Sequence, residues 1–267
     1  MIIFSVILII IAAAFIVDII IENKFMLKIR REKSGGNVKI FHLADLHKRK
    51  NIVRKICRAA ENESPDLIFI TGDLVSRSQT DFSEVDQLLG RLCEIAPIYM
   101  CFGNHEQSLP NGKQRELLDI LRKNHVRLLL NEDEEIVING RNIRIYGLMQ
   151  KYSTYKKNGG YRHLDGFTVG EMEELIGKVP ECETFLLAHN PLFAEEYSKW
   201  GATHTFSGHV HGGTVRLFGV GMLSPERRFF PKYSKGMYTI GKNQLHVTTG
   251  IGKLRILNPP EVVIYNL

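Results

Sequence analysis

The chain has 267 residues, 44% of them hydrophobic, which is enough for one large buried core. No Pro/Gly/Ser-rich linker, internal repeat or low-complexity tract divides it, which argues against a disordered or repeat protein. The formal net charge is +6, but residues 22–33 alone hold five basic and two acidic side chains. The rest of the chain is therefore too weakly basic to indicate a nucleic-acid-binding surface.

The first predicted element is an apolar run over residues 2–21. Its roughly 20 residues match the thickness of a bilayer core, and no basic residues precede it as they do in a signal peptide. The sequence therefore predicts a transmembrane anchor over 1–22, with a cleaved signal peptide or a buried helix as alternatives. The basic segment 23–37 is predicted as a juxtamembrane linker. By the positive-inside rule, this indicates a single-pass cell-membrane protein with one domain, 38–267, in the cytoplasm.

The remaining sequence alternates short apolar runs with helical patterns. Helices are predicted at about 50–62 and 82–94, hairpins around Gly140 and around 241–243, and a closing strand at the C-terminal end. Parallel units followed by hairpins predict an α/β fold with two packed, mainly mixed β-sheets flanked by helices. The apolar runs typical of strands buried on both faces are 38–44, 66–72, 97–103 and 184–190.

Polar side chains of metal-binding types follow each of these apolar strands. Because open α/β sheets bind ligands at the carboxyl ends of their strands, we expect these side chains to meet on one rim. A single motif of this kind is more often a turn or a surface residue, whereas five in succession favour a metal site. They are Asp45 and His47 in LADLH, Asp73 in TGDL, Asn104 and His105 in FGNHE, His189 in LLAHN, and His209 and His211 in SGHVHGG.

The two final histidines are separated by a single residue. Alternate residues of an extended segment point to the same face, so His209 and His211 are expected to present both imidazoles to one site. Two carboxylates, four imidazoles and an amide carbonyl, with no thiolate, suit divalent ions of Mn, Fe, Zn or Co and do not choose among them.

The ordered set D-x-H, G-D, G-N-H-E, H and G-H-x-H resembles the calcineurin-like metallophosphoesterases. The segment GHVHGG and the late RILNPPEV are similar to the membrane-associated bacterial branch with YkuE-like and YaeI-like phosphodiesterases. The resemblance implies an α/β/β/α sandwich and a two-metal centre, and it makes Arg216 a candidate for substrate binding. One ion would be held by Asp45, His47 and His211, the other by Asn104, His189 and His209, and both would be bridged by Asp73.

The resemblance also implies a phosphoester hydrolase in which a hydroxide between two metal ions attacks phosphorus. His105, adjacent to Asn104 but outside the ligand set, becomes the candidate to contact the phosphate and protonate the leaving oxygen. A structural hydrogen bond is its alternative role. The sequence leaves open whether the substrate is a monoester, a diester or a pyrophosphate.

Two loops bear on the substrate. Residues 149–163 and 216–236 combine basic with aromatic side chains, which suits a phospholipid or a lipid-linked phosphate at a membrane surface, although packing under the loops is equally consistent. A nuclease or nucleotide phosphodiesterase is disfavoured by the small charge surplus. A non-catalytic, metal-stabilised scaffold is the third hypothesis. Nucleic acid is not expected as a partner, and no protein partner is implied.

Overall fold

The computed structural model describes residues 2–49, 52–158, 160–161, 163–225, 227–252 and 255–267. The helices are α1 (Ile2–Lys24), α2 (Val53–Glu63), α3 (Ser83–Leu92), α4 (Asn104–Gln107), α5 (Asn111–Lys123), α6 (Val169–Ile176) and α7 (Ala194–Trp200). The strands are β1 (Lys28–Lys33), β2 (Lys39–Leu43), β3 (Leu67–Thr71), β4 (Ile98–Cys101), β5 (Arg127–Leu128), β6 (Glu132–Ile138), β7 (Arg141–Leu148), β8 (Glu183–Ala188), β9 (His204–Ser207), β10 (Arg216–Leu217), β11 (Val220–Gly221), β12 (Gly236–Ile240), β13 (Asn243–Val247) and β14 (Glu261–Asn266).

Two six-stranded mixed sheets form the body of the protein. The strand order is β1-β14-β2-β3-β4-β5 in the first sheet and β12-β13-β9-β8-β7-β6 in the second. Strands β2, β3 and β4 are parallel to one another, as are β7, β8 and β9. The predicted hairpins are β6–β7 and β12–β13, both antiparallel, and the closing strand is β14. These observations confirm the α/β fold with two mixed sheets.

The sheets pack face to face, and helices cover their outer faces. In β3, Ile68 and Ile70 belong to the core shared with α2, α3 and α5, whereas Leu67 and Phe69 belong to the core between the sheets. This follows from the two-residue period of a strand, which sends neighbouring side chains to opposite faces. A third core lies between the second sheet and helices α6 and α7. Apolar runs such as LIFIT are therefore buried on both sides.

Residues of the predicted anchor form helix α1, and several of its side chains are exposed, for example Phe4 and Ile9. Within the described ranges, however, no helix is both long enough and apolar enough to cross a lipid bilayer. The predicted transmembrane helix is therefore not supported. The last turn of α1 packs on the domain: Asn23 donates to the Arg255 carbonyl over 2.7 Å, and Arg49 donates to the carbonyl of Glu22.

The predicted juxtamembrane linker contains a strand instead. Strand β1 pairs in parallel with β14 along the edge of the first sheet, from Lys28 opposite Glu261 to Lys33 opposite Asn266. Arg30 on this strand also donates to the buried carboxylate of Glu261 over 3.1 Å. The backbone pairing and this long-range ion pair together fix the conformation of a segment whose sequence is mostly charged. The first sheet consequently begins ten residues before the predicted domain boundary at residue 38.

Candidate metal centre

The loops after five parallel strands bring the predicted ligands together at one end of both sheets. The first group of ligand atoms within 4.8 Å of one another comes from Asp45, His47 and His211, and another comes from Asp73, His189 and His209. A further group of the same size joins His47 and Asp73 to His105. Strands β2, β3 and β4 of one sheet and β8 and β9 of the other thus converge as the carboxyl-end rule predicts.

Within each of the first two groups the ligand atoms lie close together. His211 Nε2 lies 3.3 Å from Asp45 Oδ1 and 3.4 Å from His47 Nε2. In the second group, His189 Nε2 lies 3.4 Å from Asp73 Oδ2 and 3.1 Å from His209 Nδ1. Asp73 Oδ2 is also 4.0 Å from His47 Nε2, so its carboxylate stands between the groups.

The backbone at the site differs from the extended conformation that the sequence predicted. His209 and His211 have φ values of 65° and 53°, in the left-handed region, and so do three of the other candidate ligands. Non-glycine residues in that region are strained by about 1–3 kcal/mol each and persist only where surrounding contacts fix them. The other three are Asp45 (φ 54°), His47 (φ 52°) and Asp73 (φ 53°).

Tertiary hydrogen bonds fix this strained backbone. The amide of Asp45 donates to the carbonyl of Gly72 over 3.1 Å, and the amide of His47 donates to the carbonyl of Asp73 over 3.2 Å. The amide of His209 donates to Asp45 Oδ2 over 3.0 Å. Each loop is therefore held by its neighbour, and these contacts fix the orientation of the ligand side chains.

A glycine provides the space for one carboxylate. A Cβ added to Gly250 would lie 2.5 Å from Asp45 Oδ2, and its φ of 67° is unfavourable for a residue with a side chain. The backbone of the TTGIG segment therefore passes directly against the Asp45 carboxylate, an approach that only glycine permits.

Charge and burial set the protonation of the cluster. Burial opposes ionisation of Asp73, but the surrounding histidines, led by His189, hold its pKa well below the usual range. Burial alone would lower the pKa of His189, yet the Asp73 carboxylate raises it to about 10, so a cation bound at this position would displace a proton from the ring. Burial lowers the pKa of His47 to about 4, so its ring is neutral near pH 7, the form that binds metal.

The donor set fits divalent cations. Asp45 Oδ1 and Asn104 Oδ1 are buried and have no hydrogen-bond donor among the described residues, which is costly for a carboxylate and an amide oxygen. Both atoms belong to predicted ligands. A cation at each position would satisfy them, and mixed imidazole and oxygen ligation suits the ions expected from the sequence.

Comparison with known proteins agrees with this geometry. The family model described as "Calcineurin-like phosphoesterase" matches residues 38–213. The chain belongs to the calcineurin-like phosphoesterase family. It is accordingly a hydrolase that acts on phosphoester bonds.

Relatives of this metallophosphoesterase include proteins named for two related reactions. It is 26% identical over 241 residues to phosphodiesterase YaeI of Escherichia coli, covering 86% of this chain and 82% of that protein. It is 22% identical over 287 residues to UDP-2,3-diacylglucosamine pyrophosphatase LpxG of Chlamydia muridarum, covering 85% and 82%. The crystal structure of TT1561 of Thermus thermophilus has the same fold, with a TM-score of 0.52 at 11% identity over 82% of this chain and 90% of that chain.

In this metallophosphoesterase the ligand cluster opens into a cavity of about 320 Å³. Its wall includes side chains that the metal motifs did not identify, among them Lys48, Arg77, Lys156 and Tyr161. Arg216, the predicted substrate-binding residue, is not brought to this cavity. Its guanidinium donates to the carbonyl of Gly212 over 2.8 Å and so supports the loop after His211.

Arg77 contacts both nitrogen atoms of the His105 ring. The Arg77 amide donates to His105 Nδ1 over 3.1 Å, so in the neutral ring the proton resides on Nε2. The Arg77 guanidinium lies 3.0 Å from that same Nε2, which brings two donors together. An anionic oxygen between them would accept from both, as a phosphate does from an arginine and an imidazole. His105 Nε2 is also 3.9 Å from Asp73 Oδ2, at the edge of the ligand cluster.

Glu106 is a further site residue that the sequence analysis did not assign. Its fully buried carboxylate accepts from the amides of Asp73 and Gly103, each over 2.9 Å, and from the amide of Val75 over 3.1 Å. Burial and the nearby Asp73 charge raise its pKa to about 7. The signal was present in FGNHE, because a Glu three residues after a helix-capping position commonly accepts from the cap amide.

Replacing Glu106 with Ala is expected to destabilise the protein, because three buried amides would lose their acceptor. At about 1–3 kcal/mol for each such group, we expect a loss of roughly 3 kcal/mol or more. That corresponds to a decrease in Tm of about 6–12 °C for a domain of this size, measurable by calorimetry. Glu116→Ala is the matched control, because this side chain is 44% exposed and pairs with Lys113. The control is expected to change the free energy of unfolding by about 0.5 kcal/mol or less. If the Tm of the Glu106→Ala variant also stayed within about 2 °C of the wild type, this role would be contradicted.

Proposed function

We propose that this protein is a phosphodiesterase or pyrophosphatase that requires two divalent cations and acts on a lipid-linked phosphate. The observation that best supports the proposal is the position of Asp73. Its carboxylate is shared between two groups of potential ligands on the floor of a cavity whose wall carries Lys48, Arg77 and Lys156. A shared carboxylate brings two cations together, and basic side chains attract an anionic ester.

The ligand assignment follows the two groups. Bound cations would lower the pKa of a water molecule and offset the charge that builds on the phosphoryl oxygens. One cation would be held by Asp45, His47 and His211 and the other by Asn104, His189 and His209, with Asp73 available to both.

Arg77 and His105 would act on the substrate directly. Both donors face the same point of the cavity, so they would bind one phosphoryl oxygen and fix the orientation of the ester. His105 Nε2–H would then donate its proton to the leaving oxygen, because Nδ1 is already bonded to the Arg77 amide and cannot take that role. The backbone of Arg77 thus sets the tautomer, and its side chain binds the anion.

Replacing Arg77 with Ala is expected to raise KM for a soluble phosphodiester about tenfold, because one charge-assisted contact contributes roughly 1.5–3 kcal/mol. The backbone amide that bonds His105 is retained in this variant, so kcat should fall less than kcat/KM. Steady-state kinetics with bis(4-nitrophenyl) phosphate measures both. Arg54→Ala, at an exposed position of α2, is the control. An unchanged KM for Arg77→Ala would show that the guanidinium does not contact the substrate.

The choice of a lipid-linked substrate is supported by relatives and by side chains. One relative is named as a pyrophosphatase of an acylated sugar nucleotide, and another as a phosphodiesterase. The cavity wall adds Tyr155, Tyr161 and Pro225 to its basic residues, which suits a ligand that joins a phosphate to apolar groups.

The proposal is tested with the full chain, stripped by a chelator and reloaded with Mn, Fe, Zn or Co in turn. Each form is assayed on 4-nitrophenyl phosphate, on bis(4-nitrophenyl) phosphate and on UDP-2,3-diacylglucosamine in mixed micelles. We expect activity only after reloading, and the highest kcat/KM on the acylated substrate. A protein that binds two equivalents of metal and hydrolyses none of these esters would instead support the scaffold hypothesis.

A further inference from the structure

An exposed segment with several aromatic residues begins four residues after the candidate ligand His211. We call it the aromatic ribbon and define it as residues 215–225 and 227–230. Strands β10 and β11 form its hairpin, and the residues at the tip are apolar and exposed: Phe218 is fully exposed, and Leu217 and Val220 are 39% and 50% exposed. A fully exposed aromatic ring beside exposed aliphatic side chains gains nothing from burial in the protein itself, so the tip indicates an interaction surface.

The ribbon continues into a third segment that adds to the same surface. The amide of Met222 donates to the carbonyl of Val215, and the amide of Phe230 donates to the carbonyl of Met222 over 3.1 Å. Phe230 therefore lies opposite Met222, three residues from the turn residue Gly219, or roughly 10 Å at about 3.3 Å per residue. Phe229 and Phe230 are 74% and 61% exposed, and their ring centroids are 6.4 Å apart.

Basic side chains flank these rings. Arg227 and Arg228 are exposed, and the Arg227 guanidinium lies 5.6 Å from the ring centroid of Tyr161. Tyr161 and Pro225 both line the cavity above the metal ligands. Residues 215–230 hold three basic residues and one acidic residue. The surface is therefore cationic as well as aromatic, and it is continuous with the mouth of the cavity.

The ribbon is fixed to the metal-site loop. Arg216 at its base donates to the Gly212 carbonyl. Asn258 lies in the segment that pairs with Val215, and its side chain donates to the His211 carbonyl over 2.6 Å. The position of the aromatic tip relative to the ligands is consequently set by backbone contacts. Whatever the tip binds is held at a fixed position relative to the reaction site.

We propose that the aromatic ribbon docks this enzyme onto the surface of an anionic lipid bilayer, with the cavity mouth at the level of the headgroups. A projecting tip offers no groove for a partner helix or strand, whereas aromatic rings flanked by arginines match the acyl boundary and the anionic headgroups of a membrane. The inference deepens the proposed function, because it rests on a lipid-linked substrate and states how the cavity reaches it.

A local fluorescence reporter tests the docking. Phe218→Trp is made in the full chain, with vesicles of equal parts phosphatidylglycerol and phosphatidylcholine that carry bromine on their acyl chains. We expect the bromolipids to reduce the added tryptophan signal by about half or more, because residues of a docked surface reach the acyl boundary. The native Trp200 is buried and donates to the Gly177 carbonyl, so it contributes a constant background. Phe229→Trp is a second reporter should the first variant fold poorly.

Val137→Trp is the matched control, because Val137 is 77% exposed on β6 of the second sheet, outside the ribbon. Quenching at residue 218 no greater than at residue 137 would overturn the inference and leave a protein partner as the occupant of the ribbon. Equal quenching with pure phosphatidylcholine would overturn the requirement for anionic lipid. The readout needs no turnover, so quenching without any hydrolysis would contradict the proposed function and support the docking surface.

Discussion

Replacing Asp73 with Asn is expected to lower kcat/KM on a phosphodiester about 1,000-fold, equivalent to roughly 4 kcal/mol of transition-state stabilisation. The same change should weaken the binding of both metal ions, because Asp73 Oδ2 lies within 4.0 Å of ligand atoms from both groups. Asn is the informative replacement. It keeps an oxygen that can accept from the amide of His105, as Asp73 Oδ1 does over 2.8 Å, while it removes the charge.

Two measurements separate loss of charge from loss of fold. Metal content after gel filtration and Tm are determined for Asp73→Asn and for Asp86→Asn, whose carboxylate on α3 bonds Lys123 and Asn124 and has no part in the site. We expect the control to bind two ions per chain and to be fully active. If Asp73→Asn retained both ions and wild-type turnover, the shared carboxylate, and with it the proposed two-metal arrangement, would be wrong.

The convergence of the ligands could be predicted because it follows from topology. Apolar runs with polar residues at their carboxyl ends are visible in the sequence, and parallel strands bring those ends to one edge of a sheet. The structure places Asp45, Asp73, Asn104, His189 and His209 at such ends, after β2, β3, β4, β8 and β9. Local sequence therefore contains enough information to identify the neighbourhood of the site.

The backbone of the site could not be predicted, because it depends on contacts between distant loops. The left-handed conformations of Asp45 and His47 are fixed by the carbonyls of Gly72 and Asp73 in another loop, and a local pattern gives no information on such pairs. The alternation rule assumed an extended segment where tertiary hydrogen bonds impose a turn.

Strand β1 was missed for a related reason. Its sequence, KIRREK, has almost no apolar residues, so hydrophobic periodicity predicts a solvated linker. At a sheet edge the backbone pairing with β14 and the Arg30–Glu261 ion pair take the place of side-chain burial. Arg30 and Glu261 are 231 residues apart in the sequence, so a rule based on neighbouring residues cannot predict that they pair.

His105 has two roles that the geometry allows, and one substitution distinguishes them. Its ring lies with His47 and Asp73 in a group compact enough to hold an ion, and it also contacts Arg77 at the cavity wall. If it is the general acid, His105→Ala should retain two metal ions and lose about 100-fold in kcat, the range typical of acid catalysis. If it is a ligand, metal content should fall instead.

The leaving group provides the sharper measurement. A proton donor matters most when the departing oxygen is strongly basic, so we expect His105→Ala to lose about 100-fold or more on an alkyl phosphodiester but about tenfold or less on a nitrophenyl diester. His125→Ala, at an exposed position after α5, should lose neither metal nor rate. An equal loss of rate on both esters, with metal retained, would show that His105 is not the proton donor. Its role would then be to bind the phosphoryl oxygen beside Arg77.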